Sequence, residues 1–191
     1  MNFFNVGFVL LSLQFNFNWI LNYVVKLVGV MFMLSGIKEI SAFYSGYGKF
    51  KSGVLAVGAA AVGGTLCSAL SAGGVIGESA GNVLSIIFGA GSSALILSVQ
   101  YKILKITAAN HEIVNDPSLL YDLRKAWDKL AFFTALTVVC DVLYRLLPFG
   151  NWQTAAGTVL VFSRIIMYVY VIIMGVAFNK VRMDFNTMHP V

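Results

Sequence analysis

Residues 52–100 constrain the fold of this chain more than any other stretch. The segment carries 10 of the 18 glycines and a single charged residue, Glu78. Small residues recur there at every fourth position, which places them on one helix face where two backbones can approach closely in lipid. The pattern predicts two transmembrane helices joined by a tight turn at residues 77–82.

Helix association in a bilayer depends on close packing, because lipid tails are as apolar as the side chains. We therefore expect the small residues of this hairpin to form the contact between its two helices, with Gly64 and Gly89 where the backbones touch. The predicted packing residues are Ala60, Gly64, Ser68, Gly81, Ser85, Gly89 and Ser93.

The composition places the whole chain in a membrane. Its residues are 59% hydrophobic and only 11% charged, whereas soluble domains contain about 25% charged residues. Each span needs roughly 20 apolar residues. The sequence thus predicts an all-α, polytopic transmembrane bundle forming a single membrane domain of about five spans. The predicted spans are residues 17–37, 53–76, 82–101, 130–147 and 155–178.

The positions of the basic residues predict the orientation. With the N-terminus outside and the C-terminus inside, 10 of the 13 Lys and Arg fall in cytoplasmic segments and none in the two outer turns. This distribution follows the positive-inside rule and predicts a multi-pass protein of a bacterial inner membrane. The formal charge of +5 then needs no nucleic-acid partner.

The polar segment 102–129 is predicted to lie in the cytoplasm and to contain a helix start. Asp116 can cap a helix whose first position is Pro117, and no breaker follows before Pro148. An apolar stripe lies within residues 119–127 of that helix. It either packs against the preceding helix or docks a cytoplasmic partner. Its members are Leu119, Leu120, Leu123 and Trp127.

The N-terminal residues 1–18 give no helical signal where polar and apolar residues alternate, from Leu13 to Trp19. We expect an interfacial or half-inserted segment on the outer side. Lys26 lies about 10 Å into the first span at 1.5 Å per residue, so its side chain must snorkel or face the bundle.

Three further charged residues lie inside predicted spans. Asp141 and Arg145 share one face of the fourth span, and Arg164 lies in the fifth at a similar depth, which predicts an Asp141–Arg164 bridge. Charges at this depth normally pair or serve a pathway. The cluster is either a clamp between two helices or a polar route for an ion or proton. A carboxylate beside two arginines stays ionised, which favours the clamp.

Catalytic and metal-binding patterns are weak throughout. Residues 77–81 match G-x-S-x-G, but a nucleophile elbow needs a preceding strand and a histidine. His111 and His189 are predicted on the opposite side of the membrane. Cys67 and Cys140 lack metal-ligand spacing. We therefore predict no enzymatic activity, cofactor or metal site.

Residues 27–64 combine an outside-to-inside span, a short basic loop and a Gly/Ala-rich return span. This arrangement resembles small inner-membrane subunits of type IV secretion and conjugation machines. The resemblance implies a structural subunit of a multiprotein envelope complex. The sequence thus predicts a non-enzymatic subunit of a membrane assembly that packs against copies of itself or other membrane subunits. The alternative is a small ion or solute channel or transporter that uses the charged stripe.

Overall fold

The computed structural model describes residues 2–13, 19–42, 44–109, 116–148 and 150–188. Within these ranges the chain is all-helical and has no strand, which confirms the predicted all-α class. A short 3-10 helix, Ser45–Phe50, precedes the third α-helix. The α-helices are α1 Asn2–Ser12, α2 Trp19–Ser41, α3 Lys51–Ala72, α4 Glu78–Ala109, α5 Pro117–Leu146 and α6 Asn151–Met188.

Three described segments are long and apolar enough to cross a bilayer: Gly46–Ala72, Ser79–Ala109 and Asn151–Met188. Their lengths and compositions are those of a multi-pass membrane protein. The 23-residue α2 and the 30-residue α5 are not among the three.

The turn between α3 and α4 lies at residues 73–77, four residues before the predicted position. Gly74 has a left-handed φ of 70°, a conformation that residues with a side chain rarely adopt. The N–H of Val75 then bonds to the carbonyl of Leu70 at 2.9 Å, which closes the end of α3. The prediction of a turn at 77–82 is wrong, because residues 78–82 already form the first turn of α4.

The predicted start of α5 is confirmed. Asp116 has extended backbone angles, Pro117 is the first helical residue, and the N–H of Ser118 donates to the Asp116 carboxylate at 2.8 Å. The helix runs for 30 residues. Its partner α6 runs for 38 residues and extends ten residues beyond the predicted end of the last span, at residue 178.

The most apolar part of the core contains α1, where the sequence predicts an interfacial segment. Phe4 and Phe8 are 0% and 1% exposed. Their rings lie 5.5 and 5.0 Å from the ring of Phe178 in α6. The interfacial alternative for residues 1–18 is therefore wrong for α1, the half-inserted alternative is not contradicted by its length and burial, and residues 14–18 lie outside the described ranges.

Glycines let α1 and α2 approach closely. A Cβ built on Gly7 would lie 2.8 Å from the Cα of Met33, and one built on Gly36 would lie 2.5 Å from the Cα of Phe4. Both distances are too short for any side chain, so the contact requires glycine on each helix. Backbone-to-backbone packing, expected between α3 and α4, is found here instead.

The same contacts fix the direction of α1. Phe4 lies beside Gly36, near the end of α2, whereas Leu11 lies beside Gly29, near the middle. The two helices are antiparallel, and α1 begins at the end of the bundle where α2 ends. The predicted outer location requires the N-terminal residues to start at the end of the bundle opposite the C-terminal end of α2. The described residues start instead at the same end as the C-terminal end of α2.

The α3–α4 hairpin is packed around an aromatic ring. A Cβ on Gly63 would lie 2.6 Å from the ring of Phe88, and one on Gly64 would lie 3.1 Å from the Phe88 Cβ. The two glycines therefore accommodate a side chain of α4 rather than its backbone. A Cβ on Gly89 would meet no atom within 4 Å, so the structure does not place Gly89 at this contact.

The apolar stripe of α5 is used within the chain. Leu123 is fully buried, and Leu119, Leu120 and Trp127 pack against the core. The Trp127 ring lies 5.2 Å from the ring of Tyr101 in α4. Leu123 and Trp127 are therefore used in packing within the chain, whereas Leu119, Leu120 and Trp127 keep part of their surface exposed.

Candidate functional site

A polar cavity of about 230 Å³ lies between the α3–α4 hairpin, the α5–α6 hairpin and α2. All five long helices contribute to its wall. Its charged and hydroxyl-bearing residues are Lys26, Thr65, Ser68, Ser85, Ser92, Ser93, Thr137, Asp141, Arg145 and Arg164.

Asp141 is the acidic centre of one wall. Its carboxylate accepts a hydrogen bond from Nε of Arg145 and another from a terminal nitrogen of Arg164, each at 3.0 Å. The predicted Asp141–Arg164 bridge is therefore present. Arg145 also donates to the Ser85 hydroxyl at 3.1 Å, which connects α5 to α4.

Arg164 reaches Asp141 from deeper in the bundle. Its neighbour Ser163 is bonded to Thr137 at 3.1 Å, one helical turn before Asp141. Helical side chains point back toward the N-terminal end, so the guanidinium of Arg164 extends along α6 toward the Asp141 level. The side chains of Asp141 and Arg164 are each 25% exposed, so the bridge is half-buried.

Lys26 contributes a third cation from α2. Its side chain is only 5% exposed, and it does not snorkel out of the bundle. Among the described residues no carboxylate pairs with Lys26, because the one acidic group of the cavity is already bonded to both arginines. The sequence alone left Lys26 either snorkelling or facing the bundle and did not connect it with the charged cluster.

Two polar atoms of the lining are buried without a hydrogen-bond partner. They are the hydroxyl oxygen of Ser92 and the Nε of Arg164. Other hydroxyls bond to their own helix, as Ser68 does to the carbonyl of Gly64 at 2.9 Å. Such unpartnered groups normally cost free energy and are uncommon in buried sites. Nothing in the sequence marked Ser92.

The small residues line this cavity. Six of the seven predicted packing residues belong to its wall: Ala60, Gly64, Ser68, Ser85, Gly89 and Ser93. The open space at Gly89 lies along that wall. Only Gly81 packs elsewhere, against Ser71 of α3. These small residues therefore leave room between the hairpins, in addition to the contact that Gly64 makes with Phe88.

One end of the cavity adjoins the last turn of α1. Ser93 lines both this cavity and a smaller one shared with Ser12 and Gln100. The Gln100 amide donates to the Ser12 hydroxyl at 2.6 Å, and Ser12 donates to the Phe8 carbonyl at 2.9 Å. This hydrogen-bonded chain ties the end of α1 to α4 beneath the charged cavity.

The lining contains no histidine and no cysteine. Its hydroxyl, carboxylate, guanidinium and ammonium groups can bind and orient a polar group. The predicted histidine positions 111 and 189 lie outside the described residues. Comparison of the chain with protein-family models, curated proteins and solved structures found no match.

Proposed function

We propose that α2 to α6 are five membrane spans of a bacterial inner-membrane protein. The 23 residues of α2 and the 30 of α5 suffice for a hydrocarbon core of about 30 Å. The distribution of Lys and Arg supports a cytoplasmic location for the ends of α2, α4 and α6. In this orientation α1 begins at the cytoplasmic end, and the turn at 73–77 and the start of α6 at Asn151 lie outside.

We propose further that the protein is a small, non-enzymatic channel or transporter for an ion or polar solute. The observation that carries this proposal is Lys26. A clamp between α5 and α6 needs only Asp141 and one arginine, and it gives no reason for a buried lysine on α2. An unpaired charge at the bilayer centre costs about 2.5–3.5 kcal/mol on insertion scales, and ionisable residues within spans commonly mark a functional site.

The length of α1 supports the same reading. Its 11 residues span about 16 Å, roughly half of a hydrocarbon core, and the face with Phe4, Phe8 and Leu11 is buried, while Phe3 and Val6 on the other side are exposed. Half-length helices inside a bundle are typical of transport proteins, in which they adjoin the substrate site near the middle of the membrane.

Solute flux into proteoliposomes tests this function. We expect the wild-type protein to accelerate entry of at least one small solute over protein-free vesicles, measured by stopped-flow light scattering with potassium, chloride, phosphate and glycerol. Asp141→Asn releases both arginines, and we expect flux to fall at least tenfold with unchanged elution on size-exclusion chromatography.

Asp122→Asn is the matched control, since Asp122 is exposed on the same helix and lies outside the charged cavity. Its flux should equal that of the wild type. The transport proposal is wrong if wild-type vesicles admit none of the four solutes faster than empty vesicles do.

A second candidate function is that of a subunit in a membrane assembly, of the kind that the resemblance to secretion and conjugation subunits implies. It is favoured by one face of α4, where Gly91, Ala94 and Ser98 are exposed. A Cβ on Gly91 would meet no atom within 4 Å. Small residues on a lipid-facing side allow another helix to approach closely.

Counting of subunits in nanodiscs, by stepwise photobleaching of a labelled protein, tests this candidate. We expect more than one copy per disc, and mostly single copies for Gly91→Leu. Ala59→Leu is the control, since Ala59 is an exposed small residue on α3. Single copies for the wild type, together with no co-purifying protein from native membranes, would exclude a subunit role.

A further inference from the structure

We infer that the cavity between the two hairpins binds a small oxyanion, either a carboxylate or a phosphate. The inference rests on the proposed cavity function and specifies its ligand. It follows from three independent properties of the wall: its charge, its buried hydrogen-bond donors and its volume.

The charge of the wall is positive. Lys26, Arg145 and Arg164 supply three cations, and Asp141 supplies the only carboxylate among the lining residues. One positive charge is neutralised by Asp141, which leaves an excess of two. A cation would be repelled from such a wall, whereas an anion with one or two charges would offset the excess.

The wall supplies buried hydrogen-bond donors. Lys26 is 5% exposed and has an ammonium group that can only donate. The buried Nε of Arg164 is also only a donor, and the Ser92 hydroxyl can turn to donate. Oxygen atoms that carry negative charge accept such bonds most strongly, and carboxylates and phosphates match arginine best.

The cavity has a volume of about 230 Å³, which is room for a small ligand. Inorganic phosphate or a four-carbon dicarboxylate fits this space. The small residues Ala60, Gly64 and Gly89 create this space, since larger side chains there would fill it.

Isothermal titration calorimetry on the full chain in detergent tests the inference directly. The probes are inorganic phosphate and succinate, titrated at constant ionic strength with chloride as the balancing anion. We expect saturable binding of at least one probe. Lys26→Met should weaken that binding at least tenfold, while Lys38→Met, which removes an exposed lysine of the same helix, should leave it unchanged.

Lys26→Met should also melt at a higher temperature than the wild type without ligand, because it removes a buried charge that no carboxylate neutralises. If this variant does not fold, Ser92→Ala supplies the test, with an expected loss of at least threefold in affinity. Equal affinities for the wild type and the folded cavity variants would overturn the inference, as would a flat titration of a lipid-free wild type.

A phospholipid headgroup is an alternative source of the same oxyanion. In that case about one phospholipid per protein should co-purify with the wild type and be lost from Lys26→Met, and phosphate should bind only after delipidation. The two experiments distinguish failure of the oxyanion inference from failure of the transport proposal. Flux of potassium or glycerol that is insensitive to Lys26→Met would refute oxyanion binding and leave the transport proposal standing. Oxyanion binding without any flux would refute transport and leave the binding inference standing.

Discussion

The contact between α1 and α2 leads to a quantitative prediction for Gly36→Ala. The added Cβ would lie 2.5 Å from the Cα and 2.6 Å from the Cβ of Phe4. Carbon atoms normally rest at about 3.5–4.0 Å, so α1 must shift by roughly 1 Å. Because backbone blocks the site, we take the upper part of the 1–3 kcal/mol range for overpacking, about 3 kcal/mol.

Alanine also stabilises a helix relative to glycine by about 1 kcal/mol, which leaves a net loss of about 2 kcal/mol for Gly36→Ala. At 2–4 °C per kcal/mol for a chain of this size, the melting temperature should fall by roughly 4–8 °C. Gly91→Ala has the same propensity gain and no neighbour within 4 Å, so its melting temperature should rise by about 2–4 °C.

The assay is heating of purified protein in detergent followed by size-exclusion chromatography, with the remaining monodisperse peak plotted against temperature. The two variants make the same chemical change in two helices, so propensity alone predicts equal shifts. If the melting temperature of Gly36→Ala equals or exceeds that of Gly91→Ala, then α1 does not pack against α2 in this way, and the account of the core is refuted.

Two further predictions concern the α3–α4 hairpin and the start of α5. Gly64→Leu should lower the melting temperature, because its Cβ would press on Phe88, whereas Gly89→Leu should leave stability nearly unchanged and abolish ligand binding by filling the cavity; equal melting of both would contradict the geometry. Hydrogen bonds from Ser118 hold the pKa of Asp116 below its ordinary value of 3.8. The folded pKa is thus depressed, so the stabilisation is complete above about pH 5 and is lost as the pH falls through the folded pKa. We expect Asp116→Ala to melt below the wild type at pH 7, with a gap that narrows below pH 3.8; a gap that is constant with pH would exclude the cap charge as its cause.

The sequence predicts best what depends on local chemistry. The cap at Asp116 and the start of α5 at Pro117 follow from backbone rules that tertiary contacts do not change. The bridge from Asp141 to Arg164 follows from the cost of leaving an intramembrane charge unpaired. Both predictions needed only the residue types and their spacing.

The contacts of small residues could not be predicted in the same way. Spacing of four shows that Gly64 and Gly89 share faces with other small residues, but a small face equally permits a touching backbone, an inserted ring or a void. The structure has the ring of Phe88 over Gly64 and open space at Gly89. The choice depends on which larger residue lies opposite, and this is a tertiary property.

The helix α1 was missed for a different reason. Phe4, Phe8 and Leu11 recur at spacings of four and three, a helical period that the alternating residues 13–19 obscured when the segment was read as one unit. Gly29 and Gly36, two turns apart in α2, were the complementary signal for a close helix contact. Reading residues 2–12 alone would have revealed the pattern.

The position of α1 gives a physical reason for a polar cavity in so apolar a chain. Along its 11 residues α1 packs against α2, α6 and α4 and buries Phe4, Phe8 and Leu11 in the core. Beyond the level of Ser12 the lining residues of α3 and α4 are small and polar, and they leave a cavity in place of a packed core. An empty apolar cavity of this size would lose packing contacts, and no other interaction would offset that loss. A wall with Lys26 and two arginines can instead hold water and an anion, so the half-length helix and the charged cavity are two parts of one architecture.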